Sequence, residues 1–148
     1  MRDKATVITP ATRPDALDVF GTHVTVLAAA SESGCYGITC QSGPEGAGPP
    51  PHFHPWDESF FVLTGEIHFR CGDEEHRCPP GSLVHVPRNT VHAFSYGAGG
   101  GSMLEITSEN SRAAEMFRAV DAAIDAANPD IPRALAVLKD HGVTVPGA

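Results

Sequence analysis

Four side chains near the middle of the sequence have the types and spacing of a metal-binding site. His52 and His54 are two residues apart, so on an extended strand both imidazoles project from the same face. Glu58 follows shortly after them, and His92 lies on a later extended run. Three imidazoles and one carboxylate suit a borderline divalent transition metal. Because four protein ligands leave one or two coordination positions open, the pattern predicts a catalytic rather than a structural ion.

The composition narrows the fold and the kinds of partner. The chain has 148 residues, which fits one domain. Its 15 Gly and 13 Pro favour many short strands joined by tight turns. A net charge of −8 argues against binding to nucleic acid or to an anionic membrane, since both need a basic surface.

The apolar segments and the cysteines bear on the cellular compartment. No run of 18 apolar residues is present, and the residues after Met1 do not lead into the apolar stretch of a secretory signal, so we expect a cytoplasmic protein. The four cysteines lack the CxxC spacing of a structural zinc site. Cys71 and Cys78 flank a turn and could face each other across a hairpin, but we expect thiols in a reducing compartment.

The pattern of turns up to about residue 108 predicts an antiparallel sandwich or barrel. The clearest extended runs are residues 24–28, 35–41, 59–70, 82–86, 91–96 and 103–107. In the run 59–70, Phe61/Leu63 and Ile67/Phe69 fall on alternating positions, and the opposite face carries Glu66, His68 and Arg70. This alternation predicts a half-buried strand with these four side chains in the core.

The last 40 residues have a different pattern. Met116, Phe117, Val120 and Ile124 recur at helical spacing and predict a helix over about 110–127. A second helix is expected between a cap at Asp130 and Gly142. Two short helices do not make a domain, so we expect residues 109–148 to pack on the barrel formed by residues 1–108.

Two segments of the sequence resemble the two conserved motifs of cupins. The positions that match the first motif, with every spacing met, are Gly46, His52, His54, Glu58 and Gly65. Those that match the second are Gly81, Pro87 and His92, with Asn89 in place of the usual Gly and Tyr96 in place of the usual Asn. The resemblance implies an all-β double-stranded β-helix (jelly-roll) barrel, usually a homodimer, with a metal held by His52, His54, Glu58 and His92.

The resemblance also implies a small-molecule substrate in the mouth of the barrel. The metal could be Fe, Mn, Ni, Co, Cu or Zn. The candidates for lining the substrate pocket are Tyr36, Ile38, Cys40, Trp56, Phe60, His85, Phe94 and Met103. Glu58 is the candidate catalytic residue, since it could stay a ligand or act as a general base.

The function that this resemblance favours is a metal-dependent dioxygenase, similar to quercetinases, acting on a small aromatic or carbonyl compound such as a flavonol or a diketone. One alternative is an isomerase or cyclase that uses the same metal as a Lewis acid. Another is a non-catalytic cupin that binds a small molecule, because no second acid–base pair is recognisable beyond the ligands.

Overall fold

A computed structural model describes residues 4–148 as two antiparallel sheets, one short helical turn and two C-terminal helices. The strands are β1 Leu17–Val19, β2 Thr22–Ala28, β3 Tyr36–Gly43, β4 Glu58–Thr64, β5 Ile67–Cys71, β6 Glu74–Cys78, β7 Leu83–Val86, β8 His92–Tyr96 and β9 Gly101–Ser108. The helices are α1 Ala30–Ser33, α2 Ala113–Ala123 and α3 Ile131–Asp140. The larger sheet has the order β1-β2-β3-β9-β4-β7 and the smaller one β6-β5-β8. The predicted all-β jelly roll followed by two helices is confirmed.

The barrel core lies between the two sheets. Phe60, Val62 and Met103 of the larger sheet form one buried cluster with Phe69 and Tyr96 of the smaller sheet. The aromatic rings contact one another; the centroids of Phe60 and Phe69, for example, are 5.2 Å apart. The two sheets are therefore held together by apolar packing.

The run 59–70, expected to be one strand, is two strands in different sheets. Gly65 separates β4 from β5 with a φ of 73°, a left-handed conformation that suits glycine. An added Cβ at Gly65 would lie 2.2 Å from the carbonyl oxygen of Gly100. The turn carries the chain from the larger sheet to the smaller one, which a pattern of alternation alone does not reveal.

Burial was predicted correctly for the apolar residues after this turn and incorrectly for those before it. Ile67 and Phe69 are buried as expected, whereas Phe61 and Leu63 are 39% and 41% exposed. On β4 the residues that face the core are Phe60 and Val62. The expectation for Phe61 and Leu63 was wrong because successive side chains on a strand alternate in direction and both faces of β4 are apolar.

The outward face of the larger sheet is apolar over four adjacent strands, β3, β9, β4 and β7. Its side chains, which we call the outer face, are Tyr36, Ile38, Cys40, Leu104, Ile106, Phe61, Leu63, Leu83 and His85. None of these outward positions carries Asp, Glu, Lys or Arg, although the whole chain has a net charge of −8.

Strand β6 was not expected from the sequence. Its residues Glu74, Glu75, His76 and Arg77 are all exposed, so it has no apolar alternation. Its register with β5 also separates the two cysteines of the hairpin. Cys71 lies opposite Glu74 and Cys78 opposite Ile67, and both are free thiols.

Helices α2 and α3 pack together and against β1 through a second buried cluster. Val120 of α2 and Ile124, the residue that caps its C-terminus, face this cluster, as the helical spacing predicted. Asp130 caps α3, with its side chain accepting a hydrogen bond from the backbone N–H of Arg133 at 3.1 Å. Trp56, from the segment before β4, belongs to the same cluster and so joins the helices to the region of the predicted ligands.

Candidate metal centre

His52, His54 and His92 come together at one end of the barrel. His52 and His92 form an antiparallel bridge, with their backbone N–H groups donating to each other's carbonyl oxygens at 3.0 and 2.9 Å. One ring nitrogen from each of the three histidines lies within 4.8 Å of the others. His54 and His92 are 3% and 1% exposed, and His52 is half-buried. The histidines that the sequence grouped are thus adjacent in space.

The hydrogen bonds of the three rings define which nitrogen is available to a metal. Nδ1 of His52, His54 and His92 lies 2.9, 3.0 and 2.8 Å from the carbonyl oxygens of Pro50, Trp56 and Thr90. A carbonyl oxygen only accepts hydrogen bonds, so each Nδ1 must carry the proton. The neutral rings then present the Nε2 lone pair, which is the form that ligates a metal ion.

The carboxylate of Glu58 faces the same nitrogens. Its Oε2 atom lies 3.0 Å from Nε2 of His54 and 2.9 Å from Nε2 of His92. Glu58 is the first residue of β4 and is only 4% exposed. Two Nε2 lone pairs beside a carboxylate oxygen repel each other unless a proton or a metal cation lies between them. The donor set therefore fits a divalent transition metal held by His52, His54, His92 and Glu58.

The electrostatics of the site favour a neutral His52 and an ionised Glu58, which are the forms that bind a cation. Burial, with the nearby His92, lowers the pKa of His52 to about 4, so this imidazole is neutral at pH 7. Burial alone would raise the pKa of Glu58, but hydrogen bonds from Glu105, His54 and His92 hold it well below its ordinary value. For His92, the hydrogen bond and charge of Glu58 outweigh the effect of burial and raise the pKa.

The segments that carry the ligands are fixed by local contacts. The carboxylate of Asp57 accepts hydrogen bonds from the backbone N–H and the guanidinium of Arg88, at 2.9 and 2.7 Å. These bonds lower the pKa of Asp57 to about 2. They tie the start of β4 to the turn before β8. Asn89 in that turn has a φ of 63° and donates its backbone N–H to the carbonyl oxygen of His54 at 2.8 Å.

The two departures from the cupin motifs are both accommodated. Asn89 takes the left-handed conformation of the usual glycine, and asparagine tolerates it better than most residues. Tyr96 is 1% exposed and packs in the barrel core. An added Cβ on Gly43 would lie 2.6 Å from the Tyr96 ring, so this glycine leaves room for the tyrosine.

A cavity of about 70 Å³ lies beside the histidines. Its far wall is formed by apolar side chains from α2, α3 and the residues that follow: Ala113, Met116, Phe117, Leu138, Val143 and Val145. Its few polar side chains include Gln41, Glu58 and Glu105. The C-terminal helices thus close the end of the barrel where the ligands lie. Pockets for drug-sized molecules are typically about 300–1,000 Å³, so this cavity suits a much smaller ligand.

The structure divides the eight candidate pocket residues into two groups. Trp56, Phe60 and Phe94 line the cavity, and the Trp56 ring stacks on His54 with 4.2 Å between centroids. The other five, which lie elsewhere, are Tyr36, Ile38, Cys40, His85 and Met103. Four of these belong to the outer face, and Met103 is fully buried in the barrel core. The strand register turns the four outer-face side chains away from the cavity, whereas Met103 points into the barrel core.

Sequence reasoning missed Glu105, a second buried carboxyl group at the site. It lies on β9, is 3% exposed, and lines the same cavity as Glu58. Burial and the negative charge of Glu58 raise the pKa of Glu105 well above its ordinary value. The sequence signal was a single acidic residue between the apolar Leu104 and Ile106 of β9.

Comparisons with known proteins agree with this geometry. The family described as "Cupin domain" matches residues 41–106. A quercetin 2,3-dioxygenase of Bacillus subtilis (strain 168) is 32% identical over 73 residues, which are 49% of this chain and 22% of that protein. The matched stretch is thus a small part of that relative.

Solved structures with the same fold are more distant in sequence. KdgF from a Halomonas species superposes with a TM-score of 0.67 at 17% identity, over 75% of this chain and 99% of that one. The polyketide cyclase RemF from Streptomyces resistomycificus gives 0.62 at 18% identity, over 72% and 80% of the two chains. Both motifs, the jelly-roll fold and the three adjacent histidines support a cupin superfamily protein, with the cupin domain matched over residues 41–106.

Proposed function

We propose that this protein is a metal-dependent dioxygenase that acts on a small carbonyl compound of the diketone class. The observation that carries the proposal is the cluster of three histidines, each with Nδ1 hydrogen-bonded to a backbone carbonyl oxygen and Nε2 available to a metal beside Glu58. The partial similarity to a quercetin 2,3-dioxygenase supports oxidative chemistry. The cavity of about 70 Å³ favours a diketone-like substrate over a flavonol.

Each residue of the site has a role in this proposal. His52, His54, His92 and Glu58 would hold one divalent ion, and this donor set is compatible with Fe, Mn, Ni, Co, Cu or Zn. When bound, the metal supplies Lewis-acid and redox chemistry. Glu58 would accept a proton from the carbon acid of the substrate, since its pKa is held low and it is ionised at pH 7. The apolar wall from α2 and α3 would exclude water.

The test is anaerobic reconstitution with Fe(II), Mn, Ni or Co, followed by measurement of O₂ uptake with panels of diketones and flavonols. We expect uptake with at least one metal and a small diketone, and none with His92→Ala. His76→Ala is the matched control, because this histidine also contacts a glutamate, Glu74, at 3.3 Å, but on the exposed strand β6. No uptake with any pair of metal and substrate would refute the proposal.

A second candidate, a non-oxidative isomerase or cyclase, is favoured by one observation. Such chemistry needs an acid and a base, and the site has two buried carboxyl groups whose pKa values are shifted apart, that of Glu105 upward and that of Glu58 downward. The similarity in fold to the polyketide cyclase RemF is compatible with this chemistry. Conversion of a diketone by the metal-loaded protein without O₂ would support this candidate, and strict dependence of turnover on O₂ would exclude it.

A further inference from the structure

A continuous chain of buried polar side chains runs across three neighbouring strands to the metal site. The side-chain amide of Gln41 donates to Oγ1 of Thr39 at 3.2 Å, and this hydroxyl donates to Oε2 of Glu105 at 2.7 Å. Glu105 lies beside Glu58 on the neighbouring strand and lines the same cavity, and Oε2 of Glu58 contacts Nε2 of His54 and of His92. Gln41, Thr39 and Glu105 are each 3% exposed.

The strand register explains why these groups meet. Thr39 on β3 lies directly opposite Glu105 on β9, and Glu105 lies opposite Phe60 on β4. Glu58 is two residues before Phe60 on the same inward face, so the two carboxyl groups are diagonal neighbours. The contact is set by the backbone of the larger sheet and does not depend on a flexible loop.

The surroundings of Glu105 are otherwise apolar. Met103, two residues earlier on the same face of β9, and Phe60 across from it are both fully buried. A buried carboxyl group in such a place is costly unless it is hydrogen-bonded, and a hydrocarbon side chain would stabilise the core more. Its full set of partners and its contact with a candidate ligand indicate a role at the site.

We propose that Glu105 is a positioning residue that holds the Glu58 carboxylate against the three histidines in the geometry that binds the metal. Thr39 fixes Glu105 from the other side, and Gln41 fixes Thr39. A glutamate side chain has three rotatable bonds, so Glu58 without this contact would have other positions open to it. This inference rests on the metal site of the proposed function and not on the reaction assigned to it.

The test is calorimetric titration of the full-length apoprotein with Co²⁺, with the visible absorption spectrum of bound Co²⁺ as a second measurement. In Glu105→Leu we expect Co²⁺ affinity to fall by about 10- to 100-fold, as for other groups that orient metal ligands, and the spectrum to change. Glu105→Gln should keep affinity and spectrum near wild type, because its amide can accept from Thr39 and donate to Glu58.

Two further variants keep the result interpretable. Met103→Leu alters packing on the same face of β9 without removing a hydrogen bond, and it should leave Co²⁺ affinity unchanged. Thr39→Val removes only the hydroxyl that fixes Glu105, and it should weaken Co²⁺ binding by about 2- to 10-fold. If Glu105→Leu does not fold, as judged by circular dichroism, the comparison of Thr39→Val with Glu105→Gln decides the question.

Wild-type affinity and spectrum in Glu105→Leu, or in Thr39→Val when the former does not fold, would overturn the inference. An equal loss in Glu105→Gln and Glu105→Leu would also overturn it. A wild-type protein that binds no Co²⁺ would overturn both this inference and the proposed function. A wild-type protein that binds Co²⁺ with the expected ranking of variants but consumes no O₂ would refute only the dioxygenase.

Discussion

Replacement of Phe117 by alanine tests whether the C-terminal helices form a wall of the site. Phe117 lies on α2, is 8% exposed, and contributes both to the helical core cluster and to the lining of the cavity. Phe117→Ala removes the whole phenyl ring from between the helical core cluster and the cavity. We therefore expect a loss of stability together with a larger cavity beside the histidines.

The magnitude follows from the space that the ring occupies. Leaving on the order of 100 Å³ unfilled costs about 2.4 kcal/mol at 24 cal/mol per Å³. The loss of apolar burial adds a similar amount, on the order of 2 kcal/mol, at 25 cal/mol per Å². The expected decrease in the free energy of unfolding is therefore about 3–5 kcal/mol, as for other buried Phe→Ala changes. In a domain of this size that corresponds to a fall in Tm of about 6–20 °C.

Urea and thermal unfolding of Phe117→Ala beside wild type measure this loss, and Co²⁺ titration measures the site. Arg118→Ala is the control on the same helix; its side chain is 48% exposed in its ion pair with Glu32, so stability should change by less than about 0.5 kcal/mol. Co²⁺ affinity should stay near wild type in both variants, because neither residue contacts a ligand. A loss below about 1 kcal/mol in Phe117→Ala would refute the packing of α2 on the barrel end.

Three other changes have definite expected outcomes. Gly65→Ala should cost more than about 2 kcal/mol in urea unfolding, because φ at this position is 73° and the new Cβ would lie 2.2 Å from a carbonyl oxygen. Gly21→Ala, where φ is 84° and nothing lies within 4 Å of the new Cβ, should cost about 1 kcal/mol. Equal losses in the two variants would contradict this expectation. Ser31 donates to Glu115 at 2.6 Å, and although burial opposes it, this bond lowers the pKa of Glu115. The stability that this hydrogen bond contributes is present above the unfolded pKa of Glu115, near 4.5, and is lost as pH falls through the folded pKa. Ser31→Ala should therefore lower the free energy of unfolding by about 1 kcal/mol at pH 7 and by much less at about pH 3. The same loss at both pH values would contradict this expectation. If the homodimer expected from the sequence forms, we expect its interface to be the outer face, which carries no Asp, Glu, Lys or Arg. Leu83→Glu should then shift the sedimentation coefficient from that of a dimer towards that of a monomer. An unchanged dimer would exclude this face as the interface.

No helix in residues 4–148 is long and apolar enough to cross a membrane. This agrees with the sequence, in which no apolar run of that length occurs.

The spacing of residues in the sequence was enough to predict the local features of the site and of the helices. His52 and His54 project together because they are two apart on an extended segment, and the second motif identified His92. The left-handed turn at Asn89 and the helix cap at Asp130 were also predictable, because each depends on one residue type at one position. The helical stripe of α2 followed from its 3.6-residue period.

The packing of the two sheets sets which face of each strand is buried and which distant strands pair, and the sequence pattern did not predict either. A shift of one residue reverses every side chain on a strand, and β4 is apolar on both faces, so its pattern did not distinguish Phe60 from Phe61. Glu105 meets Glu58 because β9 pairs with β4, and that pairing depends on packing across the whole sheet. Residues far apart in sequence are brought together by cooperative burial, which local spacing does not encode.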